Sequence, residues 1–142
     1  PVLPRHTGPA RVNVERLRAN AIEAAEQCGR LSLPEVVAPV RFDAFLAGCG
    51  RLFWADEQGG VNACDTFDEA GPGPATLLIG PEGGFAEDER AALTAHDGAL
   101  AISLGPRILR ADTAAVSLLT LWQAAVGDWR NDCARQSTNL PL

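Results

Sequence analysis

Two segments of the chain combine glycine, proline and charged residues in a way that is typical of ligand-binding loops. The first is 79–85 (IGPEGGF) and the second is 104–113 (LGPRILRADT). Glycine lets a backbone approach a bound molecule closely and adopt positive φ angles, while proline stiffens a loop and lowers the entropy lost on binding. Either loop alone could equally be an ordinary tight turn. Their joint occurrence favours one shared binding site.

Several common chemistries do not fit these loops. Neither segment matches the glycine patterns that cradle dinucleotides or nucleoside triphosphates. The sequence contains no lysine, which excludes a phosphate-loop lysine, a Schiff base and a Ser–Lys pair. Its 4 cysteines lie far apart and only 2 histidines accompany them, so the sequence predicts no metal site.

The elements that must position the loops alternate between strands and helices. Short, continuously apolar runs predict strands that are covered on both faces, as in parallel sheets; they lie at 52–55, 76–79 and 100–104. Helical spacing predicts helices at 87–96 and 112–126, the second with Asp112 as its N-cap. This order predicts an α/β fold, a mostly parallel sheet flanked by helices. Each loop would then leave the carboxyl end of a strand, where open α/β sheets bind ligands.

The first third of the chain carries its own local signals. Asn13 is a good N-cap for a helix over 14–28 that ends at Gly29. An extended segment is expected at 34–40, between prolines, and a brief helix at 43–47.

The last predicted helix is almost uncharged around its whole circumference. Such a helix is buried by more than its own sheet, and a homodimer contact is the economical explanation. A central position in the core of one chain is the alternative.

Charge and hydropathy restrict the class of protein. The net charge of −6 argues against broad nucleic-acid binding, which usually shows a basic surface. No apolar run is long enough to cross a membrane, and the start of the chain lacks a signal-peptide pattern. We therefore expect a cytoplasmic protein with no membrane partner.

Together the two loops resemble the paired signature of the RsmE family, within the SPOUT class of RNA methyltransferases. The resemblance rests on 77–85 (LLIGPEGGF) and 103–114 (SLGPRILRADTA). It is supported by 23–30 (EAAEQCGR), with Pro34 after it, and by 127–129 (GDW). Members of this family methylate the ring nitrogen N3 of a uridine in small-subunit (16S) ribosomal RNA. The resemblance spans residues 1–129.

The resemblance implies a SPOUT-type fold with a C-terminal deep trefoil knot. Residues 1–129 would form the methyltransferase domain, and 130–142 would be a flexible tail. The family's N-terminal PUA-like domain and first strand–helix unit are expected to be missing from this chain, which alone should then bind RNA weakly and be poorly active. S-adenosylmethionine would lie bent in the knot, bound mainly by backbone groups. Its implied contacts are Leu78, Gly80, Glu82, Gly83, Leu104, Gly105, Ile108, Leu109, Arg110, Thr113 and Ala114.

The chemistry implied for uridine N3 points to the arginines of the second loop. The nitrogen attacks a methyl group well only as its proton leaves, so the enzyme must stabilise negative charge on the pyrimidine. Arg110 is the first candidate for this catalytic role and Arg107 the second, although each could be an ordinary surface arginine. Glu82 could complement the sulfonium or cap a backbone amide. Asp112 stands where many family members have glutamate.

Two other functions remain open from the sequence. The chain could be another SPOUT methyltransferase, acting on a ribose 2′-oxygen or a different base. It could also be a non-catalytic α/β module that binds an adenosine-type ligand or a protein, with its acidic surface and apolar last helix as contact surfaces.

Overall fold

The computed structural model describes residues 1–3, 12–81 and 83–129 of the 142-residue chain. The chain divides into two compact units, Pro1–Gly48 and Cys49–Leu142. Two predictions lie outside the described residues, namely the role of Glu82 and the flexible tail at 130–142.

In residues 1–3 and 12–48, the first unit contains two short strands and two helices. Strands β1 (Val2–Leu3) and β2 (Val40–Arg41) pair in parallel, and helices α1 (Val14–Gln27) and α2 (Phe42–Ala47) complete the unit. The Asn13 side chain accepts a hydrogen bond from the Arg16 N–H at 2.9 Å. The predicted cap and both predicted helices are confirmed to within one residue at each end.

The second unit is built on a four-stranded, entirely parallel sheet with the order β4-β6-β3-β5. The strands are β3 (Leu52–Ala55), β4 (Val61–Asn62), β5 (Thr76–Ile79) and β6 (Ala99–Ser103). The three predicted strands are confirmed, and β6 ends one residue earlier than predicted, which places Leu104 in the following loop. Strand β4 was not predicted, because its two residues are exposed and carry no apolar run.

In the described part of this unit, the helices that pack on the sheet are α3 (Ala63–Ala70), α4 (Glu87–Thr94) and α5 (Ala111–Ala125). Asn62 is the N-cap of α3, and its side chain accepts a hydrogen bond from the Cys64 N–H at 2.8 Å. The predicted cap of α5 is wrong. Its N-cap residue is Arg110, and Asp112 lies inside the first turn, where its carboxylate accepts from the Thr113 N–H at 2.8 Å.

An aromatic cluster joins α3 and α5 to the sheet. Phe53 on β3 and Phe67 on α3 meet edge to face, with ring centroids 5.2 Å apart. Trp122 on α5 lies 5.8 Å from the first ring and 5.1 Å from the second. Phe53 and Phe67 are almost completely buried, and burial of large rings dominates core energetics. The cluster therefore fixes α5 against the sheet.

The connection between β3 and β4, residues 56–60, passes directly over β6. Ala55 and Val61 both pair with Ile102, one from each side of β6. At the crossing, a β-carbon on Gly60 would lie 2.7 Å from the carbonyl carbon of Ile102. Only glycine lets two backbones approach this closely. The trefoil knot that the family resemblance implies stays a prediction.

Among the helices of the described part of the chain, none has both the length and the apolar character needed to cross a membrane.

The crossing at Gly60 predicts a stability defect on substitution. Because an added methyl group would collide with the backbone of β6 rather than with a movable side chain, Gly60→Ala should lower the free energy of unfolding by about 1–3 kcal/mol. Urea unfolding followed by circular dichroism measures the change. Gly50→Ala is the matched control, since a β-carbon there meets no atom within 4 Å. Equal stability of the two variants would contradict the close crossing.

Candidate functional site

A pocket of about 310 Å³ lies at the carboxyl ends of three neighbouring strands in the second unit. It is formed by the loops that follow β3, β5 and β6, together with the first turn of α5. This volume is at the lower end of the range for small-molecule sites. Its lining residues are Ala55, Asp56, Glu57, Gln58, Gly59, Ile79, Gly80, Pro81, Ser103, Leu104, Gly105, Pro106, Arg107, Ile108, Leu109, Ala111 and Ala114.

The structure brings the two glycine-rich loops together in this pocket. Seven of the residues singled out from the sequence line it: Gly80, Leu104, Gly105, Arg107, Ile108, Leu109 and Ala114. Leu78, Gly83, Arg110 and Thr113 are not among the lining residues. Leu78 is 8% exposed within β5, so its side chain contributes to the core.

The loop that follows β5, called the β5 loop, is held in its conformation by the aromatic ring of Phe85. Phe85 packs over Gly80, where an added β-carbon would lie 3.0 Å from ring atom Cε2. The same ring meets Trp54 edge to face at 5.5 Å. Gly84 adopts a φ of 75°, and its N–H donates to the carbonyl of Pro81 at 2.9 Å. The turn is therefore anchored to β3 by packing and closed by its own hydrogen bond.

The β6 loop turns sharply and presents two arginines. Gly105 has a φ of 109°, and its N–H donates to the Ser103 hydroxyl at 3.2 Å. Arg107 and Arg110 are both exposed. Neither guanidinium has a hydrogen-bond or ion-pair partner within residues 1–3, 12–81 and 83–129. These two cations are available to a ligand.

Sequence reasoning missed the third wall of the pocket, residues 55–59. The Asp56 N–H continues the β3 ladder by donating to the Ile102 carbonyl at 3.0 Å, and its carboxylate accepts from the Gln58 N–H at 3.0 Å. The Glu57 side chain lies against Gly84, where no β-carbon would fit. The available signal was the DEQGG run directly after a buried strand, at the strand end where α/β folds bind ligands.

No three His, Cys, Asp or Glu side chains are grouped as metal ligands would be, within the residues that the structure describes. The residues that line the pocket include the carboxylates Asp56 and Glu57, the guanidinium of Arg107 and several apolar residues.

A parallel α/β sheet whose loops form one pocket at the strands' carboxyl ends defines a ligand-binding α/β domain of the kind found in many enzymes. Residues 5–123 match the family model for the RNA methyltransferase domain. Because that match covers most of the sequence, the chain belongs to this RNA methyltransferase family.

Individual relatives agree with the RsmE resemblance. The chain is 34% identical over 114 residues to ribosomal RNA small subunit methyltransferase E of Rickettsia conorii, covering 76% of this chain and 46% of the relative. The enzyme of the same name from Mycobacterium bovis is 40% identical over 107 residues, covering 70% of this chain and 39% of the relative. The chain thus spans less than half the length of these relatives.

Solved structures of methyltransferases are also similar to this chain. A methyltransferase from Legionella pneumophila, in complex with the cofactor SAM, matches with a TM-score of 0.70 and 31% identity, over 90% of this chain and 55% of that one. Ribosomal RNA small subunit methyltransferase E from Neisseria gonorrhoeae, bound to S-adenosyl methionine, matches with a TM-score of 0.72 and 25% identity, over 87% of this chain and 53% of that one. The predicted α/β class and RsmE resemblance are confirmed.

The packing of Phe85 predicts that this ring supports the fold as well as the pocket. Phe85→Ala should lower the free energy of unfolding by about 3–5 kcal/mol, because it removes a buried ring and leaves a cavity beside Trp54 and Gly80. Ile108→Ala is the control, since Ile108 is 79% exposed and should cost no more than about 0.5 kcal/mol. Thermal and urea unfolding compare the two, and a Phe85 variant as stable as the control would refute the packing role.

Proposed function

We propose that this chain is the S-adenosylmethionine-binding, catalytic part of an enzyme that methylates N3 of a uridine in 16S ribosomal RNA. The main observation in support of this proposal is that the two loops with RsmE-type sequence line one pocket. The solved relatives that hold this cofactor support the proposal. An enzyme acting on ribosomal RNA would work in the cytoplasm.

We assign residues 1–129 to one methyltransferase domain. The family match over 5–123 runs through both compact units and supports this assignment.

The volume and lining of the pocket support the binding of an adenosyl group. The apolar residues Ile79, Leu104 and Leu109 are among those that line it, and an apolar lining suits a purine. At Gly80 and Gly105 the loop backbone lines the pocket without a side chain of its own. Further contacts are assigned through the family resemblance alone, to Leu78, Glu82, Gly83, Arg110 and Thr113.

The two arginines of the β6 loop are the proposed catalytic groups. When bound, S-adenosylmethionine supplies an electrophilic methyl group. The chain's part is to align the pyrimidine with that methyl group and to stabilise the negative charge that develops as the N3 proton leaves. Arg107 lines the pocket, and Arg110 stands three residues further along the same loop. Both keep free guanidinium groups among the described residues.

Calorimetry with S-adenosylmethionine and its product S-adenosylhomocysteine tests the pocket. Mass spectrometry of 16S ribosomal RNA incubated with the chain and cofactor tests the reaction, with N3-methyluridine as the expected product. Methylation of a ribose 2′-oxygen or another base would assign the chain to a different SPOUT reaction. Absence of cofactor binding would favour the non-catalytic protein-binding module.

Substitution of the arginines should separate catalysis from cofactor binding. We expect Arg107→Gln and Arg110→Gln to lower kcat by about 100-fold, the loss typical of removing one stabilising charge. Affinity for S-adenosylhomocysteine should change little, because the proposed loop contacts to it are mainly from the backbone. Arg41→Gln is the charge-matched control, since Arg41 is exposed and lies outside the pocket. Unchanged kcat in both loop variants would remove the catalytic assignment.

We also propose that the protein forms a homodimer through α5. The helix buries Ala114 and Leu118 but leaves Val116 67% and Leu119 55% exposed. The alternative of a helix wholly enclosed in the core of one chain does not fit these exposures. Adjacent exposed aliphatic side chains are typical of a surface that another protein covers.

The dimer predicts a specific response to a charge on this face. Leu119→Asp should shift the protein from dimer to monomer in sedimentation velocity, because an isolated carboxylate cannot be buried in an apolar contact. Its circular dichroism spectrum should be unchanged. Leu31→Asp, at a fully exposed position of the first unit, should leave the oligomeric state unaltered. A monomeric wild-type chain, or a dimeric Leu119 variant, would argue against this interface.

A further inference from the structure

The third wall of the pocket contains a buried carboxylate that is paired with an arginine outside the pocket. Asp56 lines the pocket, yet its side chain is only 4% exposed and forms an ion pair with Arg90 Nη1. Arg90 belongs to α4, 34 residues further along the chain, and does not line the pocket. A buried carboxylate is tolerated only when it is paired and hydrogen-bonded.

The Asp56 carboxylate also shapes the loop that forms this wall. The oxygen that pairs with Arg90, Oδ1, accepts the Gln58 N–H at 3.0 Å. This local bond bends the chain immediately after β3, so that residues 57–59 line the pocket. A side chain that bonds its own backbone two residues on sets the conformation of a turn. The loop geometry therefore depends on the position of one carboxylate.

Arg90 also contacts the packing that holds the β5 loop. Its guanidinium carbon lies 5.6 Å from the centroid of the Trp54 ring, within the range of a cation–π interaction. Trp54 in turn meets Phe85 edge to face at 5.5 Å, and Phe85 covers Gly80. The Arg90 guanidinium is thus connected to two of the three pocket loops. Asp56 links it to the loop after β3, and Trp54 links it through Phe85 to the loop after β5.

We propose that Arg90 is a positioning residue for the cofactor pocket, acting through Asp56 and Trp54 without touching the ligand. This inference rests on the proposed function, because it takes an S-adenosyl compound as the pocket's ligand. Loss of Arg90 would leave the Asp56 carboxylate buried without its cation. The carboxylate would then turn toward water and release Gln58, and the third wall would lose its bound conformation.

Arg51 provides a matched control from the same unit. Its guanidinium carbon lies 5.8 Å from the Trp122 ring, and it donates to the carbonyls of Ala70 at 2.8 Å and Pro74 at 3.2 Å. Like Arg90, Arg51 lies over a tryptophan ring and donates hydrogen bonds through its guanidinium group. Its partners lie at the end of α3 and before β5, and none of them lines the pocket. Arg51→Gln should therefore reduce stability without changing the pocket.

Calorimetry with S-adenosylhomocysteine on the full chain tests the inference. We expect Arg90→Gln to raise Kd by about tenfold, while Arg51→Gln stays within about twofold of wild type despite an equal or larger loss of Tm. Asp56→Asn combined with Arg90→Gln should bind more tightly than Arg90→Gln alone, because a neutral amide can still accept from Gln58 and needs no cation. A merely structural ion pair would not produce this recovery of affinity.

Hydrogen exchange without ligand provides a second, independent readout. Amide exchange in 56–60 should accelerate in Arg90→Gln and not in Arg51→Gln. The inference is overturned if Arg90→Gln binds within twofold of wild type, or if both arginine variants lose affinity in proportion to Tm. Failure of the wild-type chain to bind S-adenosylhomocysteine would instead overturn the proposed function, and the role of Arg90 in it.

Discussion

Insertion of β6 between β3 and β4 is the constraint on which the rest of the second unit depends. Parallel pairing on both sides brings the end of β3 and the start of β4 to the same residue, Ile102. The connection between them must then cross β6, and it does so where Gly60 lies against the strand backbone. Because β5 pairs with β3 in the same direction, three loops emerge at one end of the sheet. The pocket is a direct consequence of this strand order.

Among its described residues, the second unit has two arginines that are paired and two that are exposed beside the pocket. The chain has a net charge of −6, so each arginine near the pocket matters. Among the described residues, Arg51 and Arg90 are engaged by carbonyls, a carboxylate and tryptophan faces. Arg107 and Arg110 remain exposed beside the pocket, without such partners in that part of the chain. Two exposed guanidinium groups therefore lie in the loop that forms one side of the pocket.

Helix α5 links the site to the proposed assembly. Its first turn contributes Ala111 and Ala114 to the pocket, and Trp122 fixes its other end in the aromatic cluster. The exposed side chains of Val116 and Leu119 lie between these two regions. One helix thus carries both a wall of the pocket and the face proposed for the homodimer.

The sequence by itself determined the features that depend on residues close to one another along the chain. Continuous apolar runs defined three strands, Asn13 marked a helix start, and the glycine–proline loops indicated a ligand site at strand ends, because periodicity, capping and turn chemistry are local. Two features became visible only in the tertiary structure. One is the pairing of Asp56 with Arg90, 34 residues apart. The other is strand β4, which is exposed at the edge of the sheet. The tertiary structure also showed which loop residues line the pocket. These features depend on strand order, and strand order is set by packing between distant segments that no local pattern encodes.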